Sequence, residues 1–332
     1  MKLIDNLVVI GASGLVGTEF INIIKNFELG NLILISNGTI GQICPITNKK
    51  YESIDSIDFT KKNIYINCAN SDQAQFIKKN MSSESYLIDN SSEYRLDPNV
   101  LLCIPEINFS NLSNFNSNVI SNPNCSTIIL ALLLNPFISS GIKINRVVVS
   151  TYQAASGAGK VGLEELEKQT EEIVFGQSIS TNYWKQQFIH NTFIHDSPIE
   201  PNGYCQEENK LMNETKKIFN RNFGISATCV RVPVLRSHCE SVNIEFENKL
   251  SLEEIYNLIK KEKTLLLLDD KQNHKFPTSI STNNQNLVWV GHIRQDFSLE
   301  HGCGWNFWIS GDQLLRGAAY NAFIILTKLL EL

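Results

Sequence analysis

The residue of this chain best suited to covalent chemistry is a cysteine that follows a tight turn. Cys125 lies in the stretch SNPNCST, residues 121–127, directly before an apolar run over 128–134. Asn-Pro is typical of a turn, and the run after it is long enough to continue as a helix. Cys125 would then lie at a helix N-terminus, where unpaired backbone N–H groups and the helix dipole favour an anion. That position favours the reactive thiolate; a buried structural cysteine is the alternative.

Length and composition indicate the kind of molecule that must position this cysteine. The chain has 332 residues, 42% hydrophobic and 19% charged, which predicts a globular protein of two domains, or of one large domain with an insertion. The net charge of −5 argues against a nucleic-acid partner, since no basic excess exists to neutralise phosphates. No apolar run is long enough to cross a membrane, and residues 1–6 do not have the pattern of a signal peptide.

The eight cysteines and six histidines show no metal-ligand or disulfide spacing. No C-x-x-C pair and no H-x-x-x-H pair occurs among them. In a chain of this length, that pattern favours reduced thiols in a cytoplasm over a disulfide framework or a zinc site. We therefore expect a cytoplasmic protein that holds no metal.

A glycine-rich turn near the start predicts a dinucleotide site. The β-branched segment 7–10 runs into GASGLVG, residues 11–17, and then into a helical pattern over 18–27. Strand, glycine turn and helix in this order are the context that a dinucleotide fingerprint requires, although the spacing here is G-x-x-G-x-x-G. The glycines permit the tight turn and let backbone amides approach a pyrophosphate at the helix N-terminus.

Further strands alternate with helix-like stretches, at residues 32–35, 64–69 and 86–89. This alternation predicts an α/β fold with a Rossmann-type, doubly wound parallel sheet. A site for NAD would have an acidic residue at the end of the second strand. Here the end reads SNGT, residues 36–39, with neither an acid nor an arginine, so this position does not decide between NADP and NAD.

The chain changes character after Cys125. A strand over 147–153 leads into AASGAGK and a helix over 163–172, and an amphipathic helix over 206–219 places Glu214 and Lys217 on one face. Strands are predicted at 228–234 and 241–246, on either side of His238, and at 287–293 and 305–309. Residues 174–205 have no clean period and remain unassigned.

Five motifs in this order give the chain a family resemblance. They are the glycine turn, SNPNCST, STYQAASGAG from residue 150, ETKK from residue 214, and RVPV from residue 231 followed by His238. The chain thereby resembles the aspartate-β-semialdehyde dehydrogenase family. The resemblance implies a dinucleotide-binding domain over 1–125, completed by a C-terminal helix over 311–332. A mixed α+β catalytic and dimerisation domain would cover 126–310.

The family reduces β-aspartyl phosphate to aspartate β-semialdehyde with NADPH, on the route to lysine, threonine and methionine. By resemblance, Cys125 is the nucleophile that forms a thioester, a role suited to a thiolate. His238 is the acid/base group, a role suited to a side chain with a pKa near neutrality. The residues implied to bind substrate are Arg95 and Lys217 for the phosphate, Glu214 for the amine, Arg231 for the carboxylate, and Gln153, which orients the substrate.

The resemblance also implies the cofactor contacts, which are Gly11, Ser13, Gly14, Leu15, Val16, Gly17, Gly38, Thr39, Ser156, Gly157 and Gln313. NADP is the expected cofactor. Gly38 and Thr39 stand where the family commonly has Arg-Ser, so NAD is the alternative. Cys239 stands where serine is more usual, and we expect it to make the site more prone to oxidation.

The expected partners are the small-molecule substrates, with no nucleic acid and no membrane. The family implies a homodimer, and a tetramer is the alternative. Two other functions remain open at this point. One is reduction of another acyl phosphate, such as N-acetyl-γ-glutamyl phosphate, against which the pair Glu214 and Arg231 argues because it suits a free amino acid. The other is a non-catalytic dimeric paralogue, which would be expected to lose the cysteine or the histidine.

Overall fold

The computed structural model describes residues 5–27, 30–299 and 302–331. These residues form two compact units. Unit 1 takes in the described residues of Met1–Asn124, Lys217–Phe219 and Gly317–Leu332, and unit 2 those of Cys125–Lys216 and Asn220–Arg316. Neither unit is one continuous segment, because the end of one helix and the C-terminus return to unit 1.

Unit 1 contains a seven-stranded, wholly parallel sheet in the order β3-β2-β1-β4-β5-β7-β6. Its strands are β1 (Asn6–Ile10), β2 (Asn31–Ile35), β3 (Tyr51–Glu52), β4 (Asn63–Asn67), β5 (Tyr86–Asp89), β6 (Leu101–Leu102) and β7 (Val119–Ser121). Its helices are α1 (Leu15–Ile24), α2 (Ser71–Asn80), α3 (Pro105–Asn108) and α9 (Tyr320–Glu331). All five residues of β1 are buried, because helices cover both faces of a doubly wound sheet.

Two hydrophobic clusters cover the two faces of this sheet. The larger contains apolar residues of α1 and α9, among them Phe20 and Ile325, and the other contains Ala74 and Ile77 of α2. The doubly wound parallel sheet expected from the sequence is therefore confirmed. The α-helix at the C-terminus begins later than the predicted residue 311. A strand of unit 2 over Gly304–Gly311 and a π-helical turn over Leu315–Ala319 precede α9.

Unit 2 contains a second seven-stranded sheet, which is mixed, in the order β12-β13-β14-β11-β8-β10-β9. Its strands are β8 (Ile144–Gln153), β9 (Phe193–Ile194), β10 (Gly224–Arg231), β11 (His238–Phe246), β12 (Leu265–Leu267), β13 (Val288–Gln295) and β14 (Gly304–Gly311). Its helices are α4 (Cys125–Ser139), α5 (Gly159–Val174), α6 (Gln206–Phe219), α7 (Leu252–Lys261) and α8 (Ser279–Thr282).

Helix α4 packs on one face of the mixed sheet. Its residues 126–134 are all buried, and the Phe137 ring lies 5.1 Å from Phe246 and 5.8 Å from Phe307. Side chains alternate along a strand, so the face that carries Phe246 also carries His238 at the first position of β11. The helix that begins at Cys125 therefore lies on the same face of the sheet as His238. None of the helices in the described ranges is long and apolar enough to span a membrane.

Candidate active site

The first helical residue of α4 is Cys125, as the turn and the apolar run predict. The turn before it is held in place, since the backbone N–H of Asn122 donates to the carbonyl oxygen of Asp89 at 2.7 Å. Cys125 is partly exposed. Backbone N–H groups of the first turn and the helix dipole favour negative charge at this position, and hence a thiolate.

Gln153, the last residue of β8, links the strand end to two helices. Its Nε2 donates to Ser126 Oγ at 2.6 Å, beside Cys125, and lies 3.1 Å from Glu207 Oε1 in the first turn of α6. Gln153 and Glu207 are both buried. The start of α4 is thus fastened to the end of β8, which fixes where Cys125 lies relative to the sheet.

His238 accepts a hydrogen bond from Ala154, the residue that follows Gln153 at the end of β8. The backbone N–H of Ala154 donates to His238 Nδ1 at 3.0 Å, so the neutral ring carries its proton on Nε2. The side chain is 1% exposed. Burial and then the positive charge of Arg231 lower the pKa of His238 to about 3, although Glu207 opposes this shift. The imidazole is therefore neutral near pH 7 and presents Nε2–H as a donor.

Arg231 and His238 converge on Gly157. Arg231 ends β10, where it pairs with Gln153 of β8, and it is 4% exposed. A methyl group on the Cα of Gly157 would lie 3.1 Å from Arg231 Nη1 and 3.1 Å from His238 Nε2. The guanidinium and the imidazole proton therefore meet at the carboxyl end of β8, against a residue that must be small.

Two of the predicted cofactor contacts of unit 2, Ser156 and Gln313, lie in one hydrogen-bond chain next to His238. Gln313 Nε2 donates to Ser156 Oγ, which in turn donates to the carbonyl oxygen of Leu235. Gln313 Oε1 accepts the backbone N–H of Ser237 at 2.8 Å. Ser156 and Gln313 thus come together, and they also fix the backbone from which His238 projects.

In unit 1 the glycine turn has the shape that a dinucleotide needs. Gly11 has φ +73°, and a methyl group there would lie 2.9 Å from the backbone of Cys68. A methyl group on Gly17 would collide with the carbonyl oxygen of Gly11. Helix α1 begins directly after Gly14 with no side-chain cap and no acid in its first turn, so its N–H groups can meet an anion. Ser13, Leu15 and Val16 complete this turn.

Three hydroxyl groups lie at the end of β2, near this turn. Ser36 Oγ is 2.6 Å from Ser13 Oγ and accepts a hydrogen bond from Thr39 Oγ1 at 2.8 Å. Gly38 leaves open space, since a methyl group there would meet nothing within 4 Å. Ser36 is buried and was not predicted as a site residue, although its place at the end of the second strand was a usable signal.

The two residues predicted to bind phosphate lie together in unit 1. Lys217 Nζ donates to the carbonyl oxygens of Arg95 at 2.8 Å and Asp97 at 2.6 Å. Arg95 is 9% exposed and donates through Nη2 to the carbonyl oxygen of Asn90 at 2.7 Å. Glu214, from the same helix as Lys217, is buried and belongs to unit 2.

The expectation that Cys239 makes the site prone to oxidation is wrong. Cys239 alternates with His238 along β11 and so faces the other side of the sheet. Its sulfur lies 3.4 Å from Ser310 Oγ, and burial raises its pKa to about 11. A buried neutral thiol is a poor target for oxidation.

The sequence does not indicate Glu207, which contacts Gln153. Nor does it indicate Trp184 and Asp196, which contact Arg231. The last two lie in the segment 174–205, whose sequence has no period to indicate them. Within the residues that the structure describes, no group of three or more potential metal ligands occurs.

The fold and the site together define a class of protein. A glycine turn between a strand and a helix of a parallel sheet, joined in one chain to a second, mixed sheet, defines a two-unit protein of the dinucleotide-binding class. Family models agree. Residues 6–115 match the semialdehyde dehydrogenase NAD binding domain, and residues 134–316 match the semialdehyde dehydrogenase dimerisation domain.

The chain belongs to the aspartate-semialdehyde dehydrogenase family, as the sequence motifs predict. It is 37% identical over 335 residues to the aspartate-semialdehyde dehydrogenase of Prochlorococcus marinus, covering 98% of this chain and 95% of that one. Identity to the Rickettsia conorii enzyme of the same name is 37% over 334 residues, covering 98% of each chain. The crystal structure of aspartate semialdehyde dehydrogenase II from Vibrio cholerae, complexed with ASA, has a TM-score of 0.92 and 31% identity over 99% of both chains.

Proposed function

We propose that this protein reduces β-aspartyl phosphate to aspartate β-semialdehyde with NADPH, on the route to lysine (through diaminopimelate), threonine and methionine. The observation that carries the proposal is the convergence of Arg231 and His238 on Gly157, at the strand end to which Gln153 fastens the helix of Cys125. This arrangement offers a nucleophile, a proton donor and a carboxylate-binding cation within one unit. Relatives that bear the name of this activity support it over reduction of N-acetyl-γ-glutamyl phosphate.

The first step makes and breaks one bond at the acyl carbon. The Cys125 thiolate attacks that carbon, and the phosphate leaves with the electron pair of the C–O bond, which gives a thioester. A nicotinamide dinucleotide bound at the glycine turn and at Ser156, Gly157 and Gln313 would supply the reducing equivalent, a hydride, to the thioester carbon. When the C=O bond re-forms, the electron pair of the C–S bond returns to Cys125, whose sulfur is then a thiolate again.

His238 is proposed to act on the substrate oxygen during these steps. Its proton lies on Nε2, since Nδ1 accepts the Ala154 amide, so it can donate to the oxyanion. A substrate carboxylate bound to Arg231 would offset the positive charge that helps to lower the pKa of His238. Substrate binding would therefore raise this pKa and make the ring a better acceptor when a proton must be taken up.

The substrate has groups of both signs, and the proposed contacts match them. Arg231 would bind the carboxylate, and the buried Glu214 would bind the ammonium group. Gln153 would orient the acyl group beside Cys125. Arg95 and Lys217, which lie together, would bind the phosphate.

NADP is the proposed cofactor, with NAD as the alternative. The uncapped start of α1 fits a pyrophosphate, and Gly11, Gly14 and Gly17 provide the close approach. At the end of β2, the hydroxyls of Ser13, Ser36 and Thr39 offer donors, and no carboxylate of β2 or of residues 36–39 would repel a 2′-phosphate. Ser156, Gly157 and Gln313 would contact the nicotinamide end.

We further propose a homodimer as the assembly, with a tetramer as the alternative, supported by the match to a dimerisation domain. We propose a cytoplasmic location from the irregular spacing of the eight cysteines, none of which forms a disulfide within the residues that the structure describes.

The nucleophile can be tested with Cys125→Ser. The expected result is loss of at least about 1,000-fold in kcat for phosphate-dependent reduction of NADP by aspartate semialdehyde, because a serine hydroxyl is not ionised at neutral pH. Cys303→Ser is the matched control, since Cys303 is also partly exposed and outside any disulfide, and it should keep wild-type kcat. Circular dichroism and thermal melting check the fold of both variants. Retained activity in Cys125→Ser would contradict the proposed mechanism.

A further inference from the structure

Residues 175–205, the part after α5 of the stretch 174–205 that has no periodic pattern in sequence, are held by buried polar side chains of α5. The Glu165 carboxylate accepts the backbone N–H groups of Tyr183 at 2.6 Å and Trp184 at 3.1 Å. One turn further along α5, the side-chain oxygen of Gln169 accepts two successive amides at 2.8 and 2.9 Å. The main chain of the segment is therefore fixed by side chains, without a long strand ladder.

The indole that these contacts position lies under the guanidinium of Arg231. Trp184 is 4% exposed, and its Nε1–H donates to the carbonyl oxygen of Gly162 at 3.1 Å. The Arg231 Cζ atom lies 5.3 Å from the ring centre, within the range of a cation–π interaction. A methyl group on Gly162 would lie 2.9 Å from the indole, so a glycine is needed for the ring to reach this place.

An acidic residue of the same segment holds a second side of the guanidinium. Asp196 Oδ1 lies 2.8 Å from Arg231 Nε. The backbone around Asp196 is fixed, because Phe193 of β9 pairs directly with Arg231 and the N–H of His195 donates to the carbonyl oxygen of Cys229 at 2.8 Å. The Asp196 side chain is 33% exposed while that of Arg231 is 4% exposed, so the carboxylate approaches from the outer side.

These contacts leave one end of the guanidinium for a ligand. Nε is taken by Asp196, and Nη1 lies 3.4 Å from the carbonyl oxygen of Ala154 while also facing Gly157. Among the described residues, Nη2 of Arg231 makes no hydrogen bond. An unrestrained arginine loses side-chain entropy when a ligand fixes it. Here that entropy is already lost in the free protein.

We propose that Asp196 and Trp184 are positioning residues that fix Arg231 with its Nη end toward the substrate carboxylate. The segment 175–205 is then an element of substrate selectivity, which favours aldehydes that have an α-carboxylate. This inference rests on the function proposed above for Arg231.

Asp196→Asn tests the inference, because it keeps the shape of the side chain and removes its charge. Weakening of a charged hydrogen bond at a buried partner predicts that KM for aspartate semialdehyde rises about tenfold. The kcat and the KM for phosphate should change less than about threefold. The probe of orientation is 3-aminopropanal, the same aldehyde without the carboxylate, for which kcat/KM should stay within about twofold of wild type. A general loss of structure would lower kcat/KM for both aldehydes.

Glu200→Gln is the matched control, since it removes one negative charge from the same segment and keeps an acceptor for Asn209. Glu200→Gln should leave the ratio of kcat/KM for the two aldehydes unchanged. Asp196→Glu keeps the negative charge and should restore part of the ratio that Asp196→Asn loses. If Asp196→Asn does not fold, Trp184→Phe should lower the ratio several-fold through a weaker cation–π contact. A wild-type protein inactive on both aldehydes would refute the proposed function. The inference would be overturned if the wild-type protein is active and both Asp196→Asn and Trp184→Phe have the wild-type ratio of kcat/KM for the two aldehydes.

Discussion

Gly157→Ala is the sharpest perturbation of the proposed site, because one methyl group would touch two functional side chains at once. The added carbon would lie 3.0 Å from His238 Cε1 and 3.1 Å from both His238 Nε2 and Arg231 Nη1, a few tenths of an ångström inside ordinary contact. The imidazole and the guanidinium are buried and hydrogen-bonded to other residues, so a shift of either one disturbs a hydrogen bond. A misplacement of about 1 Å costs on the order of 100-fold in rate, so a shift of a few tenths predicts a loss of about 10- to 100-fold in kcat/KM.

The fold should tolerate this change. The backbone of residue 157 is outside the left-handed region, so alanine adds no backbone strain. The lower entropy of the unfolded chain, about 0.4–1 kcal/mol, offsets part of the cost of the close contacts. Steady-state kinetics and a thermal melt of the same preparation therefore separate the two effects. Gly224→Ala is the control, since its methyl group would make only ordinary contacts, the nearest at 3.5 Å, and kcat/KM should stay at the wild-type value. Full activity in Gly157→Ala would refute the convergence of Arg231 and His238 at this point.

Two further variants test a buried acid and the cofactor site. Burial, with no hydrogen-bond partner among the described residues, raises the pKa of Glu240 well above its usual value. Between the unfolded and the folded pKa, the carboxyl is protonated in the folded protein and ionised in the unfolded chain, so unfolding releases a proton. The free energy of unfolding of the wild type should therefore fall as pH rises from about 4.5 toward the folded pKa. Glu240→Gln should gain up to about 1.4 kcal/mol per pH unit relative to wild type over that range in urea denaturation; parallel pH profiles would contradict this. Ser36→Asp should lower the ratio of kcat/KM for NADP over NAD by about 100-fold, because a carboxylate repels the 2′-phosphate; an unchanged ratio would exclude the hydroxyl cluster from cofactor recognition.

The parts of the fold that sequence predicts are those with strong local signals. The strand, glycine turn and helix at residues 6–24 and the helix start at Cys125 follow from glycine, proline and apolar runs. The sequence pattern predicts that β11 starts at residue 241, whereas the strand begins at His238 and continues through Glu240. Buried carboxyl groups are rare, so a glutamate in a strand is ordinarily evidence for solvent exposure.

The partners of Arg231 could not be predicted from sequence. Arg231 itself was found through a motif, whereas Trp184 and Asp196 come from a segment ordered by tertiary contacts alone. The side chains that order it, such as Glu165 and Gln169, are spaced like the solvated face of a helix and are instead buried. Periodicity identifies a buried face only when that face is apolar.

The way α5 holds the segment 175–205 has a consequence for how this protein can diverge. Glu165 and Gln169 bind amide groups, which every residue except proline possesses, so they hold the path of the chain irrespective of most side chains along it. Side chains such as Trp184 and Asp196 can then be replaced while the backbone of the segment keeps its conformation. Relatives could thus acquire a preference for a different acyl group through a few exchanges here, with the cysteine, the histidine and the sheet left as they are.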